Sequence, residues 1–231
     1  MSAILCLEGI YKRFGYQNIL EDINFSIESG EFVVILGNNG VGKSTLLRII
    51  SSLMRPTNGK IFFKGEDQRE ILMLWLQRMG YISEETRLYS DLNSIENLRL
   101  YGTFYEAKNL NLKINDILEE IDLMHVAKMP IRNFSSGMKK RLMIGRLMLY
   151  EPEILLLDEP YTGLDVKSKK WFREFLEKFH KKGGTVLMVS HQFEQGMEIT
   201  SRLLVIKNKK ILKNLFINNL NSETLNYALE E

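Results

Sequence analysis

The run Gly37-Asn38-Asn39-Gly40-Val41-Gly42-Lys43-Ser44-Thr45 has the spacing G-x-x-x-x-G-K-[ST] of a loop that holds phosphate. Its glycines let backbone N–H groups converge on phosphate oxygens, and a helix that starts at the loop adds positive potential from its N-terminus. Lys43 is placed to reach β- and γ-phosphates, and the Ser44 hydroxyl to coordinate magnesium. A second chemistry-bearing stretch is Ile154-Leu155-Leu156-Leu157-Asp158-Glu159-Pro160. Its apolar residues bury a strand and deliver Asp158 and Glu159 at the C-terminal end, where ligands bind in open α/β sheets. Asp158 suits a magnesium shell, through water, and Glu159 suits polarising a water for attack on a γ-phosphate. An isolated acidic pair there would more simply cap a helix; the phosphate loop in the same chain gives the pair its chemical reading.

The elements that must position these residues can be read from the hydrophobic pattern. Short strands are expected over Ile4 to Ile10, Ile19 to Ile27 and the continuous apolar run Phe32 to Leu36, which is buried on both faces. Ser44 to Met54 has helical character and Pro56 stops it; Asn58-Gly59 turns into a strand at Lys60 to Lys64, and Tyr81-Ile82 is a short strand. From about Glu85 to Tyr150 the pattern turns helical, at Ser94 to Phe104, Lys113 to Leu123 and Gly137 to Leu149. Alternation then returns: strand Ile154 to Leu157, helix Ser168 to Lys181, strand Thr185 to Val189, helix Phe193 to Ile199, strand Leu203 to Ile206. Strand and helix taking turns argue for a mostly parallel α/β sheet with a helical insert. Trp171, Phe172, Phe175, Leu176 and Phe179 form a core-facing helical stripe. The Lys/Asn-rich C-terminus from Lys207 onward reads as a solvated tail.

Composition limits what the chain can be. Its 231 residues are 45% apolar, enough for a sizeable core, which excludes disorder as the main state. A net charge of +2 does not mark the whole chain as an electrostatic binder of nucleic acid or anionic lipid, so a polyanion must be held locally. The single cysteine, Cys6, excludes an internal disulfide, and His125, His180 and His191 are too scattered for a zinc site. A reducing, cytoplasmic setting fits. With no signal-peptide pattern and no apolar run of the roughly 20 residues that a membrane span needs, any membrane-spanning part is expected on another chain.

Between the two phosphate-directed motifs lies Asn133-Phe134-Ser135-Ser136-Gly137-Met138-Lys139-Lys140-Arg141-Leu142, and after them come Tyr161-Thr162-Gly163-Leu164-Asp165 and Val189-Ser190-His191. This ordered set resembles the ATP-binding cassette (ABC) ATPases, from Ile4 to about Leu212. The resemblance implies an α/β fold: a P-loop NTPase core with a mostly parallel sheet, N-terminal antiparallel strands and an inserted α-helical subdomain. Residues 1–84 and 151–215 would form the nucleotide-binding core, 85–150 the helical subdomain and 216–231 a short tail. It implies ATP and Mg2+ as ligands, and a homodimer or a pair with a related cassette closing around two Mg-ATP. Tyr11 would stack on adenine, against the plainer reading that it packs at a strand end. Ser135 and Gly137 would contact the γ-phosphate of the opposite subunit, Asp165 would cross the dimer interface, and His191 would contact the γ-phosphate.

Some of these transfers have a physical reason of their own. Ser135, Ser136 and Gly137 open a helix, so a hydroxyl and free amides face an anion with help from the dipole. From Leu123 through Tyr150 no residue is acidic, while Lys128, Arg132, Lys139, Lys140, Arg141 and Arg146 are present; a solvated helix face accounts for most of that charge. Two departures from the family pattern stand out. Glu84 occupies the position where the family usually has glutamine; a carboxylate can still ligate magnesium, yet it adds negative charge beside the phosphates. The signature reads Phe-Ser-Ser-Gly-Met in place of the commoner Leu-Ser-Gly-Gly-Gln, with its key serine and last glycine kept.

One compact cassette without heptad arrays is unlike the repair, chromosome or translation members of the family, and Phe134 to Arg141 ahead of Asp158-Glu159 is unlike a P-loop kinase. The expectation is an ATP-hydrolysing transporter subunit, peripheral on the cytoplasmic membrane face, with a membrane-spanning partner and no nucleic acid. Little chain follows the last core strand, so the C-terminal regulatory domain of many sugar importers is not expected. Glu84 to Leu98 looks like small exporter cassettes, including the heme-exporter ATPase of cytochrome c maturation and related drug, lipid or polysaccharide exporters. Docking to the partner is expected in the cleft between Glu84 and the helices, with Leu88, Tyr89, Leu92 and Ile95 as candidate contacts.

Overall fold

The computed structural model describes residues 3–83, 85, 87–190 and 199–217. Glu84, His191 and most of the helix expected at Phe193 to Ile199 lie outside the described residues, as do residues 218–231. Two sheets carry the fold. The first, antiparallel, has strands β1 (Ala3–Phe14), β2 (Gln17–Glu28), β4 (Asn58–Phe63) and β5 (Glu66–Asp67) in the order β2-β1-β4-β5. The second has β3 (Phe32–Leu36), β6 (Met79–Ile82), β7 (Ile154–Asp158), β8 (Thr185–Val189), β9 (Arg202–Lys207) and β10 (Lys210–Phe216), ordered β10-β9-β3-β8-β7-β6. All neighbours in it are parallel except β10, an antiparallel edge. Every residue of β3, β7 and β8 is buried. This is why those strands read as unbroken apolar runs, whereas β2 alternates.

Helix α1 (Lys43–Ile50) follows β3, and its Leu46, Leu47, Ile49 and Ile50 join a core made by the antiparallel sheet and one face of the parallel one. The opposite face of the parallel sheet packs on α5 (Ser136–Leu147) and α6 (Val166–Lys181) through Met143, Ile144, Phe172 and Leu176. A third cluster, Leu98, Ile114, Ile117, Leu118, Ile121 and Leu142 among others, holds together α3 (Ser94–Phe104), α4 (Leu110–Glu120) and the outer side of α5. Helix α5 thus takes part in two cores. The starts of these helices are chemically marked. Asn93 and Glu96 form a reciprocal capping box on α3, Ser135 caps α5, and Asp165 caps α6.

Three expectations need correction. Helix α2 (Leu72–Arg78) was absent from the sequence reading, because Leu-Met-Leu-Trp-Leu offers no polar spacing to reveal a period; Trp75 anchors it, fully buried, donating from Nε1 to Ile50 O at 3.1 Å. Residues after Lys207 do not begin a solvated tail. Asn208 and Lys209, both with positive φ (51° and 68°), turn the chain back into β10, a two-residue hairpin suited to the twist of paired strands. Finally, Lys140 and Arg141 are buried rather than solvated. Arg141 donates to Ile121 O (3.2 Å) and Asp122 Oδ2 (3.0 Å) and lies 4.9 Å from the Trp171 ring, clamping α5 between the helices on either side.

Candidate active site

The phosphate loop runs from the end of β3 into α1, where the parallel strands present their C-terminal ends. Gly42 is the residue before α1 and has φ 108°, a conformation that a side chain would strain. A Cβ there would also lie 2.8 Å from Leu20 Cδ2, so β2 packs against the loop only because Gly42 has none. The first turn of α1 has no side-chain cap and no acidic residue, which leaves its N–H groups for an anion. Lys43 is buried and folds back on the loop, donating to Gly37 O at 2.7 Å and Asn38 O at 3.2 Å. Asn38, Asn39, Gly40 and Val41 complete the bend, closed by Val41 N donating to Asn38 O at 3.3 Å. Burial lowers the Lys43 pKa, while the carboxylates of Glu159 and then Asp158 oppose that shift.

Asp158 ends β7 and Glu159 follows it. Ser44 donates to Asp158 Oδ1 at 2.8 Å, joining residues 114 positions apart in sequence. Glu159 sits in the left-handed region at φ 47°, costly for a residue with a Cβ, and is fixed there by its N–H donating to Val189 O at 3.0 Å. Thr162 N donates back to Glu159 O at 3.2 Å, so a tight turn carries the carboxylate from the strand end. Thr45 lies in the first turn of α1 beside Ser44. Among the described residues no group of three His, Cys, Asp or Glu could hold a metal ion. A hydroxyl, a carboxylate and phosphate oxygens are the donors magnesium takes at such sites, so Ser44 and Asp158 fit it.

The structure brings Lys43, Ser44, Asp158 and Glu159 together and places Ser135–Gly137 elsewhere. Ser135 Oγ accepts from Met138 N at 3.2 Å, and Ser136 Oγ donates to Gly163 O at 2.6 Å. A Cβ on Gly137 would overlap Ser168 Oγ, so glycine is needed for the starts of α5 and α6 to adjoin. Asp165 accepts from Ser168 N at 2.7 Å, and that bond holds its carboxyl below the ordinary carboxylate range.

On β1, Tyr11 is exposed and pairs with Asn58 of β4. Ile10, Lys12 and Phe14 occupy the other face: Ile10 is buried, and Lys12 Nζ stands 4.9 Å from the centre of the Phe14 ring. Leu20, opposite Lys12 on β2, is the residue that packs on Gly42. The half-exposed Phe14 ring therefore belongs to the face that the phosphate loop touches. Sequence reading passed over it, although an aromatic beside the Gly15 turn was the available signal.

A parallel sheet whose strand ends gather a phosphate loop, a hydroxyl-carboxylate pair and a further carboxylate defines a P-loop nucleotide-binding ATPase. A family model described as ABC transporter matches residues 20–162, and the chain belongs to that family as an ATP-binding subunit. It is similar to the ABC transporter ATP-binding protein NatA of Bacillus subtilis (strain 168), 34% identical over 215 residues, 90% of this chain and 87% of that one. It is similar also to the lantibiotic transport ATP-binding protein SrtF of Streptococcus pyogenes, 32% identical over 209 residues, 90% of this chain and 89% of that one. A solved ATP-binding subunit of an ABC transporter superposes with a TM-score of 0.88 at 26% identity, covering 99% of this chain and 100% of that one.

Proposed function

We propose that the chain hydrolyses Mg-ATP at composite sites, each made by two cassettes, and drives export through a separate membrane-spanning subunit. The observation that carries the reading is the convergence of Lys43, Ser44, Asp158 and Glu159 at one strand edge, 2.8 Å separating Ser44 Oγ from Asp158 Oδ1. Lys43 meets the β- and γ-phosphates, Ser44 and Asp158 hold magnesium, and Glu159 takes the proton of the attacking water. Magnesium, when bound, neutralises phosphate charge. Glu84 and His191 are assigned to the metal and the γ-phosphate on resemblance alone. For the adenine, the shared face of Phe14 and Leu20 favours Phe14 over Tyr11 as the stacking ring.

Ser135, which caps α5, and Gly137, which adjoins Ser168 of α6, are assigned to the γ-phosphate of the opposite subunit. The division into a core (1–84 and 151–215) and a helical unit (85–150) is part of this proposal, as is placement on the cytoplasmic membrane face. No helix of the described residues is long and apolar enough to cross a membrane, in keeping with a membrane-spanning partner. Lys140 Nζ donates to Ser83 O at 3.3 Å, tying α5 to the segment that carries Glu84 and giving the two units a mechanical link. Leu88 packs into two hydrophobic clusters and Ile95 into one, and Leu92 is half-buried, so of the expected docking contacts Tyr89, 53% exposed, is the most open to a partner.

The lantibiotic-transport relative and the small-exporter pattern of Glu84 to Leu98 support an exported drug-, lipid- or polysaccharide-like cargo; heme export has only the sequence pattern behind it. Complementation between variants tests the composite site. Lys43→Ala and Ser135→Arg chains should each be inactive alone, since each breaks both sites of its own dimer. Their mixture should recover ATPase activity, because one of the two sites in a mixed dimer is intact. A mixture as inactive as its components would overturn the shared site.

A further inference from the structure

The Asp158 carboxylate has two oxygens, and Ser44 bonds only one of them. Oδ2 faces the hydroxyl of Tyr81 at 3.4 Å. Tyr81 lies on β6 opposite Leu156 of β7, and Asp158 is two residues further along β7 on the same face. That diagonal neighbour is within reach of an aromatic side chain. Arg48, one helical turn after Ser44 on α1, lies on the same side of α1 as Ser44 and close to the Tyr81 hydroxyl. The Arg87 guanidinium stands 5.5 Å from the centre of the Tyr81 ring, and Arg87 O accepts from the Tyr101 hydroxyl of α3 at 2.8 Å.

We infer that Tyr81 is a positioning residue for the magnesium site: its hydroxyl fixes the Asp158 carboxylate through Oδ2 and so leaves Oδ1 aimed beside Ser44. This rests on the assignment of Ser44 and Asp158 to magnesium. Partners that orient a metal-binding group typically contribute ten- to a hundredfold to metal affinity. The 3.4 Å separation puts Tyr81 at the lower end of that range, and such bonds commonly tighten only in the loaded complex. The plainer role for Tyr81 is packing, since its ring joins the core between the two sheets. Tyr81→Phe separates the two roles, because it keeps the ring, and with it the Arg87 contact, and removes only the hydroxyl.

The experiment is a titration of Mn2+ into the chain saturated with the non-hydrolysable analogue AMP-PNP, followed by electron paramagnetic resonance. It is paired with AMP-PNP affinity measured without metal. Tyr81→Phe should weaken Mn2+ about tenfold and leave metal-free AMP-PNP affinity within about twofold of wild type. Asp158→Asn is the control for the underlying assignment. If Asp158→Asn weakens Mn2+ while Tyr81→Phe binds it as wild type does, the role of Tyr81 is overturned and the metal assignment stands. If Tyr81→Phe weakens metal-free and metal-bound nucleotide equally, the residue only packs. If Asp158→Asn leaves Mn2+ affinity unchanged, the metal assignment itself fails.

Discussion

At the scale of single residues, Lys43 and Glu159 divide binding from chemistry. Lys43 is buried among carbonyls and faced by Glu159 and Asp158, so removing it leaves two carboxylates confronting phosphates with one compensating cation fewer. Lys43→Ala should lose nucleotide affinity outright. Glu159 is held by a strained turn at φ 47° whose N–H is fixed to Val189 O, a geometry worth its cost only if the carboxylate must sit in one place. Glu159→Gln keeps the shape and loses the base. Steady-state hydrolysis should fall by about two orders of magnitude or more, with Mg-ATP affinity retained in equilibrium binding. Turnover near the wild-type rate would show that another group takes the proton. The phosphate loop and the carboxylate pair were legible in the sequence because each is fixed by spacing against a buried strand. Phe14 was not, because only the pairing of β1 with β2 reveals which face an aromatic occupies. Tyr81 was hidden for the same reason: its distance from Asp158 depends on the register of β6 against β7.

At the scale of elements, α5 governs the relation between the two halves of the chain. It shares Met143, Ile144 and Leu147 with the sheet side and Leu142 with the helical cluster, and Arg141 clamps it to Asp122 and over Trp171. Gly145 is the close approach in this packing: a Cβ there would lie 2.8 Å from side-chain carbons of both Ile117 and Ile121. Gly145→Val should overpack the seam by about 1–3 kcal/mol. At about 2–4 °C per kcal/mol for a chain of this size, a melting experiment should show Tm lowered by at least about 2 °C. An unchanged Tm would mean that α4 is not seated on α5 as described. Apolar periodicity announced α3, α5 and α6, and Gly137 marked one helix start. What it could not announce was burial of cationic side chains. Lys140 and Arg141 look like solvent-facing charge until their carbonyl and carboxylate partners are known. In β10, lysine and asparagine composition masked the alternation of Ile211, Lys213 and Leu215, half-buried against exposed neighbours.

At the scale of the whole molecule, the structure gathers Lys43, Ser44, Asp158 and Glu159 at one strand edge, and the proposed shared site adds to them the helix start at Ser135–Gly137 of a second copy. The helix start at Ser135–Gly137 is spent within its own chain on contacts at the start of α6, and its remaining amides suit a phosphate delivered by a second copy. Closure should therefore need ATP in place and should be released by hydrolysis. The most direct measurement is sedimentation velocity of the Glu159→Gln chain with and without saturating Mg-ATP. The account requires a species near the 26.9 kDa of one chain without nucleotide, and one of twice that mass with it. A Glu159→Gln chain that binds Mg-ATP and still sediments as a monomer would contradict the shared site.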